Sequence, residues 1–361
     1  MIEELLFELV QVSLGIRDRL THTPNVDEWK QLYEIAKEQT LIGICFAGVQ
    51  QLCNPENSDY CGMNEMQYLT WMGMTAIIQH RNNVLNKQCK ELQANLAANH
   101  FHSCILKGQS VAQLYSQSLR NLRQSGDIDV WVDASLKDIK KWIERIHPLD
   151  HCDYMHTPVQ LFPDTVVELH FRPWVSHNLI RNHRLQKIAK KYKALCFESS
   201  NPIGINSSNS NFNILHQLNH IYWHLTVEGV GLRQLLDLYF TIINHKGSFD
   251  FQEVKYLELE KFTSAAMWVL EYIFKMDHDF MLCEPNEKEG RFLLTEIMRA
   301  GNFGHHDNRI QRTSKDSKIT IVFMWIKHVC RLIKHYPADV LWTPIGIAYL
   351  SIVGRLQSRL F

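Results

Sequence analysis

At 361 residues, with 45% of them hydrophobic, the chain is long enough for a large core and for more than one domain. Its 38 Lys and Arg balance its 38 Asp and Glu, which excludes a whole-protein electrostatic footprint for DNA or RNA, although not a local patch. The nine cysteines show no CxxC spacing, and the stretch Met1-Ile2-Glu3-Glu4 is acidic where a secretory leader would be basic, so reduced thiols in a cytoplasmic protein are expected. No uninterrupted apolar run reaches membrane-spanning length. The nearest are 319–326, cut by Lys327, and 342–353, which contains Pro344; both are expected to be buried helices, with no membrane span.

Residues 1–100 read as helical throughout. Leu5, Leu6, Leu9, Val10 and Leu14 recur at helical spacing. Asp27 is placed to cap a second helix carrying Trp29, Leu32 and Ala36. A third, strongly apolar helix covers 41–52, and Pro55, Asn57, Ser58 and Gly62 mark a loop. Asn64 then caps a long helix running to about residue 99.

The period changes at His102. Residues 103–106 predict a short strand, 108–116 a helix and 127–132 a strand. Ser135 caps a helix reaching Ile146. Residues 159–162 and 166–171 predict two strands joined by the turn Pro163-Asp164. Residues 181–193 form a basic helix without an acidic residue, read as a solvated face first and as an anion platform second. The Ser/Asn run at 206–213 predicts a linker. From 213 onward the pattern is helical again. The predicted class is α+β: a small mixed sheet in a core at 101–205, a helical region at 1–100 and a helical domain at 206–361.

The chemistry concentrates between residues 105 and 132. Asp127 and Asp129 are separated by one apolar residue on a predicted strand, so their side chains share a face. Adjacent carboxylates repel unless a cation lies between them, which is the requirement of a divalent-metal site for phosphate chemistry. Glu168, in Val166-Val167-Glu168-Leu169-His170, offers a third carboxylate if its strand lies beside that of Asp127.

Lys107-Gly108, Arg123 with Gly126-Asp127-Ile128-Asp129, and Val167-Glu168-Leu169-His170 together resemble the DNA polymerase β-like nucleotidyltransferase superfamily, in particular its bacterial branch of uncharacterised nucleotidyltransferases. Leu232-Arg233 through Asp237-Leu238 and Gly301-Asn302-Phe303-Gly304 also look like that branch. The resemblance implies Asp127, Asp129 and Glu168 as metal ligands and catalytic residues, with Mg²⁺ or Mn²⁺ as cofactor. It implies an NTP as nucleotide donor, held by Lys107, Gly108, Ser110, Arg123 and Arg233. Transfer of a nucleoside monophosphate would release pyrophosphate. The acceptor is left open: a small molecule or saccharide ranks ahead of tRNA or protein. The phosphate turn departs from the pattern, because Gln109 separates Gly108 from Ser110.

Other readings compete. A catalytically silent nucleotide-binding or protein-interaction scaffold of the same fold is the alternative to an enzyme. Lys107 and Arg123 read equally well as ion-pair partners of the carboxylates. His170 is expected on the side of Glu168, touching substrate or bracing that carboxylate. His216, His220 and His224 form one helical stripe, read as a polar face toward the cleft ahead of a zinc site. Arg233 and Asp237 read first as an i, i+4 ion pair and second with Arg233 on the nucleotide phosphates; the turn 301–306 reads first as structural, with Gly301 a helix C-cap, and second as a substrate contact.

Overall fold

The computed structural model describes residues 2–145, 152–198, 204–307, 309 and 318–359. Four helices come first: α1 (Ile2–Ser13), α2 (Val26–Glu38), α3 (Ile42–Leu52) and α4 (Glu65–Ala98). The sheet region follows as β1 (His102–Ile105), α5 (Gln109–Ala112), β2 (Ile128–Asp133), α6 (Leu136–Ile143), β3 (His156–Phe162) and β4 (Thr165–His170). The chain continues through α7 (Leu179–Glu198), α8 (Ser210–Val227), α9 (Leu232–Ile243), α10 (Phe251–Tyr256), α11 (Glu260–Phe274), α12 (Glu287–Ala300), α13 (Lys318–Leu332) and α14 (Pro337–Arg359). This is the α+β arrangement expected from the sequence, with one small mixed sheet flanked by helices.

Local chemistry explains most boundaries. Asn64 caps α4 and closes a reciprocal pair with Gln67, and Ser135 caps α6 through the Asp138 amide. At α2 the expected cap is corrected. Asn25, not Asp27, accepts from the amides of Asp27 and Glu28, because starting there puts Glu28 where its carboxylate can take the Asn25 N–H. The helix expected over 108–116 shrinks to the single turn of α5. The predicted end of α6 at Ile146 lies outside the described residues.

The strand order is β1-β2-β4-β3; β2 and β4 run parallel, and the outer pairings are antiparallel. Side chains alternate across the sheet. Ile128, Val130 and Val132 of β2 and Val167 and Leu169 of β4 bury one face against Leu85, Cys89, Leu92 and Leu96 of α4 and Ile139, Trp142 and Ile143 of α6. Each such aliphatic side chain contributes roughly 1.5–3 kcal/mol. The opposite face therefore carries Asp129, Trp131, Glu168 and His170. Trp131 stacks on Phe212 of α8 with ring centroids 5.5 Å apart, which joins this face to the second core. That core runs from α1 through α8, α9 and α11 to α12.

The Ser/Asn run is no free linker. Asn206 accepts the Ile105 N–H, and the Gln93 side chain bonds Asn206 in both directions, so the segment lies along β1. The basic helix is corrected too. Arg181 is buried against Asp339 and the Leu257 carbonyl, Arg184 pairs with Glu258, Lys191 with Glu253 and Lys193 with Asp133. Intramolecular partners thus neutralise much of its charge.

Two further expectations change. Cys53 and Cys61 form a disulfide across the turn after α3, with Cα atoms 5.1 Å apart. The 342–353 stretch is not a buried helix: Leu341, Ile345, Tyr349, Ile352 and Leu356 of α14 are exposed. By length and composition α14 could cross a membrane, and it is the one such helix among the described residues, with 22% of the stretch buried. Its opposite face packs closely on the body, because a Cβ at Gly346 would lie 2.2 Å from the His177 carbonyl oxygen.

Candidate active site

Asp129 and Glu168 are directly opposed residues of the parallel pair β2–β4. Asp127 precedes β2 by one residue and projects to the same side. The three carboxylates bring oxygens within 4.8 Å of one another. Sequence spacing alone placed the two aspartates together; the parallel pairing supplies the third.

The loop before Asp127 is held from behind. Asn82 of α4 donates to the carbonyls of Asn121 and Arg123, and Arg81 donates to the Gly126 carbonyl. The close contact of α3 with the same loop requires glycine at position 43, where a Cβ would lie 2.5 Å from the Leu122 carbonyl oxygen.

Two cations satisfy Asp129. Lys107 Nζ lies 2.9 Å from its Oδ1, and His170 Nε2 donates to the same oxygen at 3.1 Å. Burial opposes the charge on Asp129, but Lys107 and His170 outweigh it and hold the carboxyl well below its ordinary range. The adjacent Asp129 charge pushes Asp127 the other way, to above its ordinary value. Lys107 is raised despite burial, by Asp129, Asp127 and Glu168.

His170 also faces Glu168 Oε2 at 3.4 Å, and its Nδ1 faces the Arg172 carbonyl at 3.3 Å. With oxygen acceptors on both ring nitrogens it is an imidazolium: burial alone would lower its pKa, yet the bonds to Asp129 and Glu168 raise it to about 9. Bracing the carboxylates, one of the two expected roles, is what it does here. His156, His170 and Glu168 converge as a second potential metal set. The three-carboxylate set, with hard oxygen donors only, suits Mg²⁺ or Mn²⁺.

Arg123 does not contact the aspartate pair. Its guanidinium grips Asp237 in two bonds of 2.7 Å, and Tyr115 donates to Asp237 at 2.7 Å. The expected Arg233–Asp237 helix pair is therefore absent, since Asp237 turns inward to Arg123. Arg233 instead donates to the Gln124 carbonyl at 3.0 Å and to Asn302 Oδ1 at 3.3 Å. Its Nε has no partner, and no carboxylate pairs with it among the described residues. Burial, and then Arg123, lowers its pKa.

Lys107, Gly108, Arg123, Gly126, Asp127 and Arg233 line one small recess beside the carboxylates. Gly108 has φ +57° and ψ −112°, a combination that needs glycine. Gln109 bonds Asn86 Oδ1 at 2.7 Å, and both Gln109 and Ser110 are buried; Ser110 lies outside the recess lining. The intervening Gln109 thus fastens the turn to α4.

Adjoining this recess, with Lys107 and Asp127 in both linings, opens a cavity of about 610 Å³. His216, His220 and His224 line it, as expected of a stripe facing the cleft, and no zinc-type cluster forms there among the described residues. Trp174, Trp223 and Phe303 also line it. Phe303 belongs to the 301–306 turn read second as a substrate contact, whereas nothing local in the sequence marks Trp174 or Trp223 for this wall. Gly301 caps α12 with φ +62°, the expected structural role, and the same turn delivers Phe303 to the cavity.

A family described as uncharacterised nucleotidyltransferase matches residues 25–275. The chain belongs to this family. The match takes in α2 through α11, and with them the carboxylates, Lys107, Arg233 and the histidine stripe. No curated protein and no solved structure matches the chain. As a nucleotidyltransferase-family member the chain is a transferase in kind, and an NTP is the substrate that membership implies.

Proposed function

We propose that this nucleotidyltransferase moves a nucleoside monophosphate from an NTP to an acceptor hydroxyl, using Mg²⁺ or Mn²⁺ held by Asp127, Asp129 and Glu168. The observation that carries this reading is the convergence of three carboxylates on one face of the parallel β2–β4 pair, within 4.8 Å of one another. A divalent ion bound there supplies Lewis-acid neutralisation of charge on the transferring phosphoryl group.

The chain's own residues do the rest. Arg233, with its unpaired Nε, and Lys107 in the same recess bind the β- and γ-phosphates. Gly108 lets the backbone approach them. Glu168, in the lining of the cavity, orients the acceptor hydroxyl and accepts its proton. The acceptor oxygen bonds to the α-phosphorus as the bond to the β-phosphate oxygen breaks, and pyrophosphate leaves. Arg123 acts at one remove, by fixing Asp237 and the loop that carries Asp127.

Calorimetry with a non-hydrolysable NTP tests the reading. Binding should require Mg²⁺ or Mn²⁺ and weaken at least about tenfold in Asp127→Asn. Binding that gains nothing from the metal, with no turnover, would instead favour a silent scaffold.

A further inference from the structure

We infer that the cavity beside Glu168 is the acceptor site and that it takes an uncharged, ring-bearing small molecule with a free hydroxyl, rather than a polyanion. This inference rests on the nucleotidyl-transfer reading above and extends it to the second substrate.

Geometry assigns the cavity to the acceptor. In-line transfer puts acceptor and leaving pyrophosphate on opposite sides of the α-phosphorus. The recess with Arg233 and Gly108 adjoins the cavity with Glu168, His156 and His170, and Lys107 and Asp127 line both, so a nucleotide held in the recess would meet an acceptor in the cavity at Asp127. Its volume, about 610 Å³, is that of a site for a small molecule.

The lining sets the chemical class. Trp174, Trp223 and Phe303 present ring faces, which bind the apolar faces of sugar-like or flat rings. Among the described residues Lys107 is the single Lys or Arg in the lining, and it is taken up by Asp129 and, on the reading above, by the phosphates of the NTP. Burial works against charge on the histidine stripe. Burial pushes His216 down to about 3 and lowers His220 and His224 as well. The His170 imidazolium is likewise held by Asp129 and Glu168, and Asp127, Glu168 and Glu228 line the cavity as well, so a phosphorylated or nucleic-acid acceptor would meet carboxylates and, among the described residues, no unpaired cation here. No residue of the basic helix α7 is in the cavity lining among the described residues, and Arg181, Arg184, Lys191 and Lys193 are paired within the chain.

Two unfilled polar atoms point to hydroxyl recognition. His216 Nε2 donates to the Pro173 carbonyl at 3.0 Å, which leaves Nδ1 as an acceptor, and that atom is buried without a partner. Trp223 Nε1, a donor, is also buried without one. Buried polar atoms are costly unless paired, and one acceptor and one donor are what hydroxyl groups fill.

The test uses the full chain with Mg²⁺ and α-labelled NTPs. The acceptor panel contains uncharged rings (methyl glucoside, N-acetylglucosamine, myo-inositol, uridine), the phosphate ester of each, and bulk tRNA. Label is expected on uncharged members. Trp223→Ala should lower kcat/KM for them by about tenfold or more, while the Kd of a non-hydrolysable NTP moves less than about twofold. Trp223→Phe, which keeps a ring and loses the N–H, guards against misfolding and should show a smaller loss of the same kind. Label confined to tRNA or to the phosphate esters overturns the inference. So does Trp223→Ala weakening the NTP analogue about tenfold, since the cavity would then hold the nucleotide. If the NTP analogue binds with metal and no uncharged ring is labelled, the acceptor class is wrong and nucleotidyl transfer stands. If the analogue does not bind, nucleotidyl transfer itself falls.

Discussion

Asp129 and Glu168 are register partners on the parallel strands β2 and β4, and His170 Nε2 lies within 3.1 Å of the first and 3.4 Å of the second. The sheet itself therefore sets the spacing of the carboxylates. A loop change can move Asp127, whereas Asp129 and Glu168 move only if the sheet slips. Lys107 and His170 counter the local negative charge, so the protein can fold around these acids before any metal arrives.

The two aspartates should separate function from stability. Asp127→Asn and Asp129→Asn should each reduce metal-dependent nucleotidyl transfer by at least about a thousandfold. Asp127 is exposed and repelled by Asp129, so Asp127→Asn should not lower the urea midpoint in EDTA. Asp129→Asn leaves Lys107 and His170 without their anion and should destabilise by roughly 2–4 kcal/mol. Equal loss of stability in both variants would contradict this assignment of partners.

Gly108→Ala should cost about 1–3 kcal/mol through backbone strain. Space is not the issue, because a Cβ there would lie 3.7 Å from the Asp127 carbonyl oxygen. The cost comes from φ +57° with ψ −112°. Denaturant unfolding checks the stability, and calorimetry with the NTP analogue should show weaker binding, since the strained turn adjoins Lys107.

The Arg123–Asp237 pair predicts a double-mutant result. Arg123→Ala strands a buried carboxylate and should cost roughly 3–5 kcal/mol. Arg123→Met combined with Asp237→Leu should recover much of that loss, because neither charge is then left unpaired. Urea midpoints of the singles and the double would decide it; additive losses would mean that the pair does not act as a unit.

Acid should destabilise the protein through the histidine stripe. Burial lowers His216 from 6.5 to about 3 in the folded chain. The unfolded chain then binds more protons between those values, so stability falls as pH drops below about 6.5. From pH 7 to 5 the contribution of one such histidine is about 2 kcal/mol. His216→Gln, which can still donate to the Pro173 carbonyl, should show a loss smaller by about that amount over the same range. Identical pH dependence in both proteins would show that His216 is protonated without cost.

Much of the fold was legible because its signals are local. The caps at Asn64 and Ser135, the apolar α3 and the four strands follow from residue type and period, and their ends moved by only a few residues. The misplacement at α2 was local as well: two candidate caps lie two residues apart, and the reciprocal bond to Glu28 favours Asn25. The α5 turn ends at Ala112, and its first residue, Gln109, bonds Asn86 of α4, a contact 23 residues away in sequence.

By itself the sequence determined the α+β layout and the acid pair, because alternation across a strand is a property of the chain alone. It also suggested Glu168, but whether that carboxylate meets Asp129 depended on β4 pairing parallel to β2, a long-range event. Only the tertiary structure decided which cation answers which anion. Asp237 could reach Arg233 along its own helix, yet it bonds Arg123, 114 residues away, where two aligned hydrogen bonds exclude water. That choice leaves Arg233 Nε unpaired beside the carboxylates. The aromatic cavity was equally invisible in one dimension: Trp174, Trp223 and Phe303 come from three separate segments, and only packing brings their rings to one wall.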